Sequence, residues 1–285
     1  KTWATVLAET NDIVGVLMLG HTLRIVATRY PFTAIMTSRM QQDGDIIRLF
    51  KVAGITIQRT GYESLAHYSD DQRPQVQRQK LQAITWSLLD YQRVVLLSPS
   101  QIALKNIDQL MDMPTEKYGN VLACLASLAC TCTLGGPNHS CPIISPPTLF
   151  PSSQALPHQR LSLSTVVLKP DSGVFNFLRH QLFPFASTST SIIDNVVRNN
   201  WKLLDWCYNA AEKMQQFHPT LWNEELIRII DYGAKKPWMS GRNPTEYRAV
   251  EGKWWERYNE LKAEWQTTRE RKWLWAQVWQ YYQSS

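Results

Sequence analysis

Two serines flank a proline directly after a short apolar strand, which is where α/β enzymes commonly bind their ligands. Ser98-Pro99-Ser100 follows the predicted strand at residues 93–97. Mostly parallel sheets bind ligands beyond the carboxyl ends of their strands. A serine hydroxyl there acts as a nucleophile when a base lies beside it. A turn around Pro99 explains the same residues without any chemistry, so both interpretations stay open.

Two carboxylates fall at other strand ends. Asp231 lies in a predicted strand at residues 227–232 and is a candidate acid–base group, or a partner for a guanidinium group. The alternative is a residue that caps a turn. Glu9 follows the first predicted strand and could play the same part, or could simply lie on the surface. We therefore take Ser98, Ser100 and Asp231 as catalytic candidates and Glu9 as a substrate-binding candidate.

The elements that must position these residues alternate between strand and helix. Apolar runs predict strands, and apolar residues three or four positions apart predict helices. The predicted strands lie at 3–8, 31–37, 54–57, 93–97, near 120–123, 161–168 and 227–232, and the predicted helices at 12–29, 45–53, 75–86 and 172–181. This order indicates an α/β fold with a mostly parallel, Rossmann-like sheet and helices on both of its faces.

Two parts of the chain depart from that alternation. Residues 125–160 are rich in proline, serine and threonine, and we interpret them as an irregular lid. Residues 243–285 predict one long C-terminal helix with a tryptophan stripe, packed on a domain formed by residues 1–242. The same helix could instead present a basic, aromatic surface to nucleic acid. Its candidate contacts are Arg257, Arg269, Arg271 and Lys272.

Composition narrows the class of protein. The 285 residues carry a net charge of +6, which permits an anionic partner without requiring one. No apolar run approaches the roughly 18 residues of a membrane span, so we expect no membrane contact. The 5 cysteines are an odd number, which predicts reduced thiols and a cytoplasmic protein. Cys130, Cys132, His139 and Cys141 do not have a standard zinc spacing, and we expect ordinary thiols there.

Several segments resemble glycogenin-type family 8 glycosyltransferases. The similar segments run in order along the chain, at residues 15–24, 80–86, 91–97, 104–110, 208–210, 218–222 and 236–238. The resemblance extends from about residue 3 to about residue 240. It implies a GT-A fold, which is the fold of many nucleotide-sugar transferases, and a retained use of Lys80 and of Lys236 in Lys236-Pro237-Trp238 to bind an anionic group.

The residues that carry the family's chemistry are replaced. The family binds manganese through an Asp-x-Asp pair, and Ser98-Pro99-Ser100 stands in its place. Asp231 stands at the family's third metal ligand if one residue is deleted, and Ile230 stands there otherwise. An Asn-x-Gly sugar-contact motif falls on Ser162 and Ser164. An Asp-Gln pair falls near Thr190-Ser191, and the base-binding run survives loosely as residues 9–12. We therefore expect neither a metal ion nor another cofactor at this site.

Three functions remain open. The first is a repurposed transferase similar to fungal arginine-containing cyclodipeptide synthases, which are thought to take aminoacyl groups from aminoacyl-tRNA on a glycosyltransferase-type fold. This resemblance implies a tRNA partner and an aminoacyl substrate, and it depends on the missing metal site and the basic C-terminus. The second is a metal-independent glycosyltransferase, in which Lys80, Lys235 and Lys236 replace the cation. The third is a non-catalytic relative. The oligomeric state is left open.

Overall fold

The computed structural model describes residues 1–36, 38–58, 74–114, 124–128, 132, 141, 161–182, 201–239 and 249–283. The strands in these ranges are β1 (Thr2–Leu7), β2 (Phe32–Met36), β3 (Thr56–Gln58), β4 (Val94–Leu97), β5 (Gln101–Ala103), β6 (Cys124–Leu128), β7 (Leu161–Leu168), β8 (Trp201–Leu203), β9 (Ala210–Ala211) and β10 (Ile229–Asp231). The α-helices are α1 (Ile13–Ile25), α2 (Ser38–Gln41), α3 (Gly44–Val52), α4 (Pro74–Ile84), α5 (Ser172–Leu182), α6 (Met214–Phe217), α7 (Ala249–Trp265) and α8 (Arg269–Gln283).

The main sheet has the strand order β3-β2-β1-β4-β7-β6-β8. Strand β7 is antiparallel to both of its neighbours, whereas the other strand pairs are parallel. Every residue of β1 and of β4 is buried. Strands this apolar need cover on both faces of the sheet. The predicted mostly parallel α/β architecture is therefore confirmed.

Alternate residues of the central strands enter two separate hydrophobic clusters. Trp3 and Leu97 belong to the larger cluster, which includes α1 and the C-terminal helices. Val6 and Leu96 belong to the other cluster, with residues of α4 and α5. This division follows from the two-residue period of a strand, since successive side chains point to opposite faces. The central strands thus hold both layers of helices in place.

A small second sheet lies beside the carboxyl end of β4. Its order is β5-β10-β9, with β10 antiparallel to β5 and parallel to β9. The register places Asp231 opposite Gln101. Because β5 begins one residue after Ser100, this pairing carries Asp231 to the turn that follows β4.

The lid prediction needs a correction at its start. Cys124–Leu128 is strand β6, which pairs with β7 and β8, so residues 125–128 belong to the sheet. The abundant prolines farther along the segment concealed this short strand in the sequence. Of the remaining residues of the predicted lid, the structure describes Cys132 and Cys141. The predicted strand at 120–123 and Thr190-Ser191 lie outside the described residues.

The C-terminal region also needs a correction, because it forms two helices and not one. Helix α7 ends at Trp265, and α8 begins at Arg269. Thr267 donates its hydroxyl to the Glu264 carbonyl at 2.7 Å, and Thr268 Oγ1 accepts the Arg271 N–H at 3.2 Å. Threonine hydroxyls that bond nearby backbone groups in this way end one helix and cap the next.

The two C-terminal helices pack on the α/β unit through aromatic side chains. Trp254 stacks on Trp238 with ring centroids 5.5 Å apart, and Tyr258 contacts Trp275 of α8 at 5.6 Å. The Tyr232 hydroxyl donates to the Val250 carbonyl at 2.7 Å. The tryptophan stripe therefore forms part of the main hydrophobic core. Within the described ranges, no helix is long and apolar enough to cross a bilayer.

Candidate functional site

The turn after β4 is fixed to the neighbouring strand β7. The Ser98 N–H donates to the Ser164 carbonyl at 2.8 Å. Since β7 is antiparallel to β4, the first residues of β7 lie at the carboxyl end of β4. This geometry brings Ser162 and Ser164 beside Ser98, although the two serines come more than sixty residues later in the chain.

The three catalytic candidates form one chain of hydrogen bonds. The Ser98 and Ser100 hydroxyl oxygens are 2.8 Å apart, and the Ser100 hydroxyl donates to Asp231 Oδ1 at 2.7 Å. A serine has a single hydroxyl hydrogen, so Ser98 must be the donor to Ser100. The Asp231 carboxylate is buried and also accepts the Gly233 N–H at 2.9 Å. The chain thus leads from a hydroxyl at the turn to a buried carboxylate.

A fully buried glutamine joins this turn to the serines of β7. Gln101 Oε1 accepts the Ser98 N–H at 2.9 Å, and Gln101 Nε2 donates to Asn209 Oδ1 at 2.6 Å and to Thr165 Oγ1 at 2.8 Å. Asn209 Nδ2 in turn donates to Ser162 Oγ at 2.9 Å. The sequence analysis missed Gln101 and Asn209. A glutamine within an apolar strand was the available signal, because buried amides need partners.

A second cluster joins three distant parts of the chain through Asp12. Arg78 donates to Asp12 Oδ2 at 3.0 Å, and Lys236 Nζ bonds Asp12 Oδ1. Asp12 is only 1% exposed, whereas the Arg78 side chain is 35% exposed. Arg78 Nε is buried and has no hydrogen-bond partner among the described residues. Two cations from distant parts of the chain therefore share one buried carboxylate.

Close packing beside Gly15 holds the two clusters together. A β-carbon at Gly15 would lie 2.4 Å from the Pro99 carbonyl oxygen and 2.6 Å from the Trp238 ring. Trp238 also donates its indole N–H to the Asn11 carbonyl at 2.8 Å. Glycine is required here because any side chain would push α1 away from the turn after β4. The Lys236-Pro237-Trp238 segment is anchored in this way against the start of α1.

The two clusters meet at a cleft lined by residues of α4, β4 and β7. Of the predicted residues, Ser98 and Ser164 line it, and Arg78 and Gln82 join them from α4. Lys80 is buried and is not among the described lining residues. Residues four apart share a helix face, whereas residues two apart do not, so the face that carries Arg78 and Gln82 turns Lys80 away. Glu9 lies after β1 at the same edge of the sheet.

The donor atoms at this site do not fit the metal ion that the resemblance implies. Manganese and magnesium ions prefer several oxygen ligands with negative charge among them. Ser98 and Ser100 offer neutral hydroxyls. Asp231 offers one carboxylate, and its Oδ1 already accepts two hydrogen bonds. The described residues of the site therefore lack the paired carboxylates that hold a hard cation against a diphosphate.

The predicted nucleic-acid contacts divide into two groups. Arg257 pairs with Glu260 at 2.9 Å, and Arg271 pairs with Glu264 at 3.0 Å. Arg269 and Lys272 are exposed. Opposite charges this close weaken the field that a phosphate would experience. The surface of α7 and α8 is thus less basic than the count of arginines and lysines suggests.

Comparisons with known proteins point to glycosyltransferases. No family model matches the chain. Galactinol synthase 2 of Arabidopsis thaliana is 20% identical over 281 residues, covering 91% of this chain and 81% of that protein. The galactosyltransferase LgtC, solved with donor and acceptor sugar analogs, has a TM-score of 0.59 at 11% identity. The match covers 93% of this chain and 96% of LgtC.

A second solved glycosyltransferase agrees with this result. GlyE of Streptococcus pneumoniae TIGR4 has a TM-score of 0.58 at 13% identity, covering 93% of this chain and 63% of the GlyE chain. This chain therefore spans less than two thirds of GlyE. At identities this low, the structural matches establish a shared fold and nothing more. The chemistry must be argued from the residues of the site. The chain has a glycosyltransferase fold of the GT-A type.

Proposed function

We propose that the protein transfers a sugar from a nucleoside diphosphate to a hydroxyl acceptor without a metal ion. The observation that carries this proposal is the arrangement of Arg78 and Lys236 on Asp12, beside the cleft that Ser98 lines. The similarity to galactinol synthase 2 and LgtC favours glycosyl transfer over the other functions that the sequence left open.

Arg78 and Lys236 are suited to hold the diphosphate. A guanidinium group binds phosphate oxygens through two parallel N–H donors, and a lysine ammonium adds a point charge. Asp12 fixes both cations before a ligand arrives, so less side-chain entropy is lost on binding. The Arg78 side chain lines the cleft and is 35% exposed, so part of its guanidinium group can meet a ligand there. These two groups would stabilise the charge that develops on the leaving diphosphate.

The hydrogen-bonded chain from Ser98 to Asp231 is suited to activate the acceptor. Because Ser98 donates to Ser100 and Ser100 donates to Asp231, Ser98 Oγ keeps a lone pair for a substrate hydroxyl in the cleft. The acceptor oxygen forms a bond to the anomeric carbon as the bond from that carbon to the diphosphate breaks. The acceptor proton passes to Ser98, and hydroxyl protons shift along the chain to Asp231. General-base help of this kind contributes roughly 10²–10⁴-fold to a rate.

The aminoacyl-tRNA interpretation receives no support from the proteins compared. None of those described above carries a name that refers to peptide-bond formation. Contact of tRNA with Arg257, Arg269, Arg271 and Lys272 therefore stays a prediction. Treatment with ribonuclease tests it, since a product that forms only while tRNA is intact would favour this interpretation over sugar transfer.

Activity with a panel of donors tests the proposed function. The full chain is incubated with uridine and guanosine diphosphate sugars, without added manganese or magnesium, and the released nucleoside diphosphate is measured. We expect release from at least one donor in the absence of metal ions. Arg78→Gln and Lys236→Gln should each lower that rate by about tenfold or more, since each removes a charge from the leaving diphosphate.

A matched control uses Arg48→Gln. Arg48 pairs with Glu270 of α8 at 2.7 Å, away from the cleft, so its loss should leave the rate unchanged. Release that requires added manganese would contradict the metal-free part of the proposal. No release from any donor, from a protein that is folded by circular dichroism, would favour a non-catalytic role.

A further inference from the structure

Two cysteines and a histidine converge at a place that the cleft does not use. Cys132, Cys141 and His218 are 1%, 0% and 3% exposed. One ligand atom from each lies within 4.8 Å of the other two. Cys132 Sγ and His218 Nε2 are 3.3 Å apart. Three soft or borderline donors are thus gathered in a site that excludes water.

The backbone around His218 is held by its own hydrogen bonds. The His218 N–H donates to the Met214 carbonyl at 2.8 Å, and the His218 carbonyl accepts from Leu221 at 3.0 Å and from Trp222 at 3.1 Å. Lys213 donates to the Cys132 carbonyl at 3.0 Å. The Lys213 bond joins the residue before α6 to the segment between β6 and β7. The imidazole is therefore presented from a fixed backbone position, as a metal ligand requires.

We propose that Cys132, Cys141 and His218 bind a structural zinc ion. Zinc takes thiolate and imidazole ligands in tetrahedral geometry, with Zn–S of about 2.3 Å and Zn–N of about 2.0 Å. Ligand atoms of such a site lie roughly 3.5–3.8 Å apart by this geometry, which is near the 3.3 Å between Cys132 and His218. Binding needs no redox partner, since each thiol only releases a proton when it becomes a ligand.

The sequence offers the fourth ligand that a structural zinc site needs. Cys130 lies two residues before Cys132, and His139 lies two residues before Cys141. Both lie outside the described residues. One residue separates the members of each pair, whereas the paired ligands of a zinc site usually have two to four residues between them. His218 was not among the zinc ligands considered from the sequence, because it lies 86 residues from Cys132.

A zinc ion here would brace the candidate active site. Helix α6 follows β9, and β9 pairs with β10, which ends at Asp231. The Glu212 N–H also donates to the Asp231 carbonyl at 2.8 Å. The ion would thus tie the segment between β6 and β7 to the backbone that positions Asp231. The role is structural, because all three described ligands are buried and a catalytic zinc keeps an open position.

Metal analysis of the full chain tests this proposal. The protein is produced without a polyhistidine tag in medium with zinc, and its metal content is measured by plasma mass spectrometry. We expect about one zinc ion per chain. Cys132→Ser and His218→Gln should lose most of that zinc. Cys207→Ser is the matched control and should keep it, because Cys207 is a half-buried thiol outside the cluster.

A second measurement on the unaltered protein covers the case in which the variants do not fold. Zinc is removed with a chelator and replaced by Co²⁺, and the absorption spectrum is recorded. Thiolate-to-cobalt bands together with the visible bands of tetrahedral cobalt are expected. A folded, reduced protein that holds only trace metal and gives no such bands would overturn the proposal. A disulfide between Cys132 and Cys141 in protein kept under reducing conditions would overturn it too.

Discussion

The Ser100 hydroxyl donates to Asp231 Oδ1 at 2.7 Å, across 131 positions of the sequence. The antiparallel pairing of β10 with β5 produces this contact, because it places Asp231 opposite the residue that follows Ser100. A buried carboxylate therefore receives a hydroxyl donor from the turn at the carboxyl end of β4. The contact between Ser100 and Asp231 therefore depends on the pairing of β5 with β10, and neither strand could supply it alone.

Replacement of Ser100 by alanine should weaken both stability and transfer. The buried Asp231 carboxylate would lose its hydroxyl donor and keep the Gly233 N–H, and a hydrogen bond to a charged group contributes about 1.5–3 kcal/mol. Urea unfolding measures this loss. Ser87→Ala is a control, because the Ser87 hydroxyl only donates to a carbonyl at the end of α4. Equal stability of the two variants would mean that the Ser100–Asp231 hydrogen bond stabilises the protein no more than the Ser87 hydrogen bond does.

Replacement of Gly15 by alanine should destabilise the protein and displace the turn that carries Ser98. The new methyl group would lie within 2.6 Å of Pro99 and Trp238 atoms, and overpacking of this kind costs about 1–3 kcal/mol. Gly252→Ala in α7 is the contrast, since no described atom beyond the neighbouring backbone of its own helix lies within 4 Å of the place that its new methyl group would occupy. It should be neutral or stabilise the helix by up to about 1 kcal/mol. Thermal unfolding of the two variants should therefore move in opposite directions.

Two tryptophans of the C-terminal helices should differ strongly in what they contribute. Trp254 is 0% exposed and lies in the main core, so Trp254→Ala should cost about 3–5 kcal/mol in the free energy of unfolding. Trp273 is 45% exposed and lies 5.8 Å from the Arg48 guanidinium. Trp273→Ala should cost no more than about 1 kcal/mol. Similar losses in both variants would mean that α7 and α8 do not pack on the domain as described.

His21 should make stability depend on pH. Burial, followed by the Arg24 charge, lowers the pKa of His21 below its usual 6.5, although Glu264 and Glu260 oppose the shift. Arg24 donates to His21 Nδ1 at 3.0 Å, which requires an unprotonated nitrogen. The unfolded chain then binds more protons, so this contribution to stability is present above pH 6.5 and is lost as the pH falls through the lower folded pKa.

The variant His21→Gln tests this pH dependence. The free energy of unfolding in urea, measured from pH 8 to pH 5, should fall less steeply for the variant than for the unaltered protein. Other acidic and basic groups titrate in both proteins, so the difference between the two curves isolates His21. Parallel curves would remove His21 from the account of acid sensitivity.

Much of the fold followed from local sequence pattern. The strand at residues 161–168 was predicted with the bounds that the structure gives it, because its apolar alternation is strong and turn residues flank it. The single long C-terminal helix was wrong, since the apolar stripe continues in register across Thr267 and Thr268. The hydroxyl groups of these threonines bond nearby backbone groups where α7 ends and α8 begins. Apolar periodicity does not reveal such hydrogen bonds.

The site could be predicted only where strand ends determine it. Ser98 and Asp231 follow from the rule that ligands bind at the carboxyl ends of strands. Arg78 was missed because its place in the cleft depends on which face of α4 meets the sheet, and the resemblance drew attention to Lys80 instead. The pairing of Arg78 with Asp12, and of Cys132 with His218, joins residues far apart in sequence, and no local pattern carries that information.

Titration calorimetry with nucleoside diphosphates tests the central claim most directly. Uridine and guanosine diphosphate are titrated into the full chain, once without added metal ions and once with manganese. We predict that at least one binds with the same affinity in both, and that Arg78→Gln and Lys236→Gln each weaken binding by about tenfold, as expected for loss of a charged contact. Binding that requires added manganese, or that is unchanged in both variants, would contradict a metal-free diphosphate site at Arg78 and Lys236.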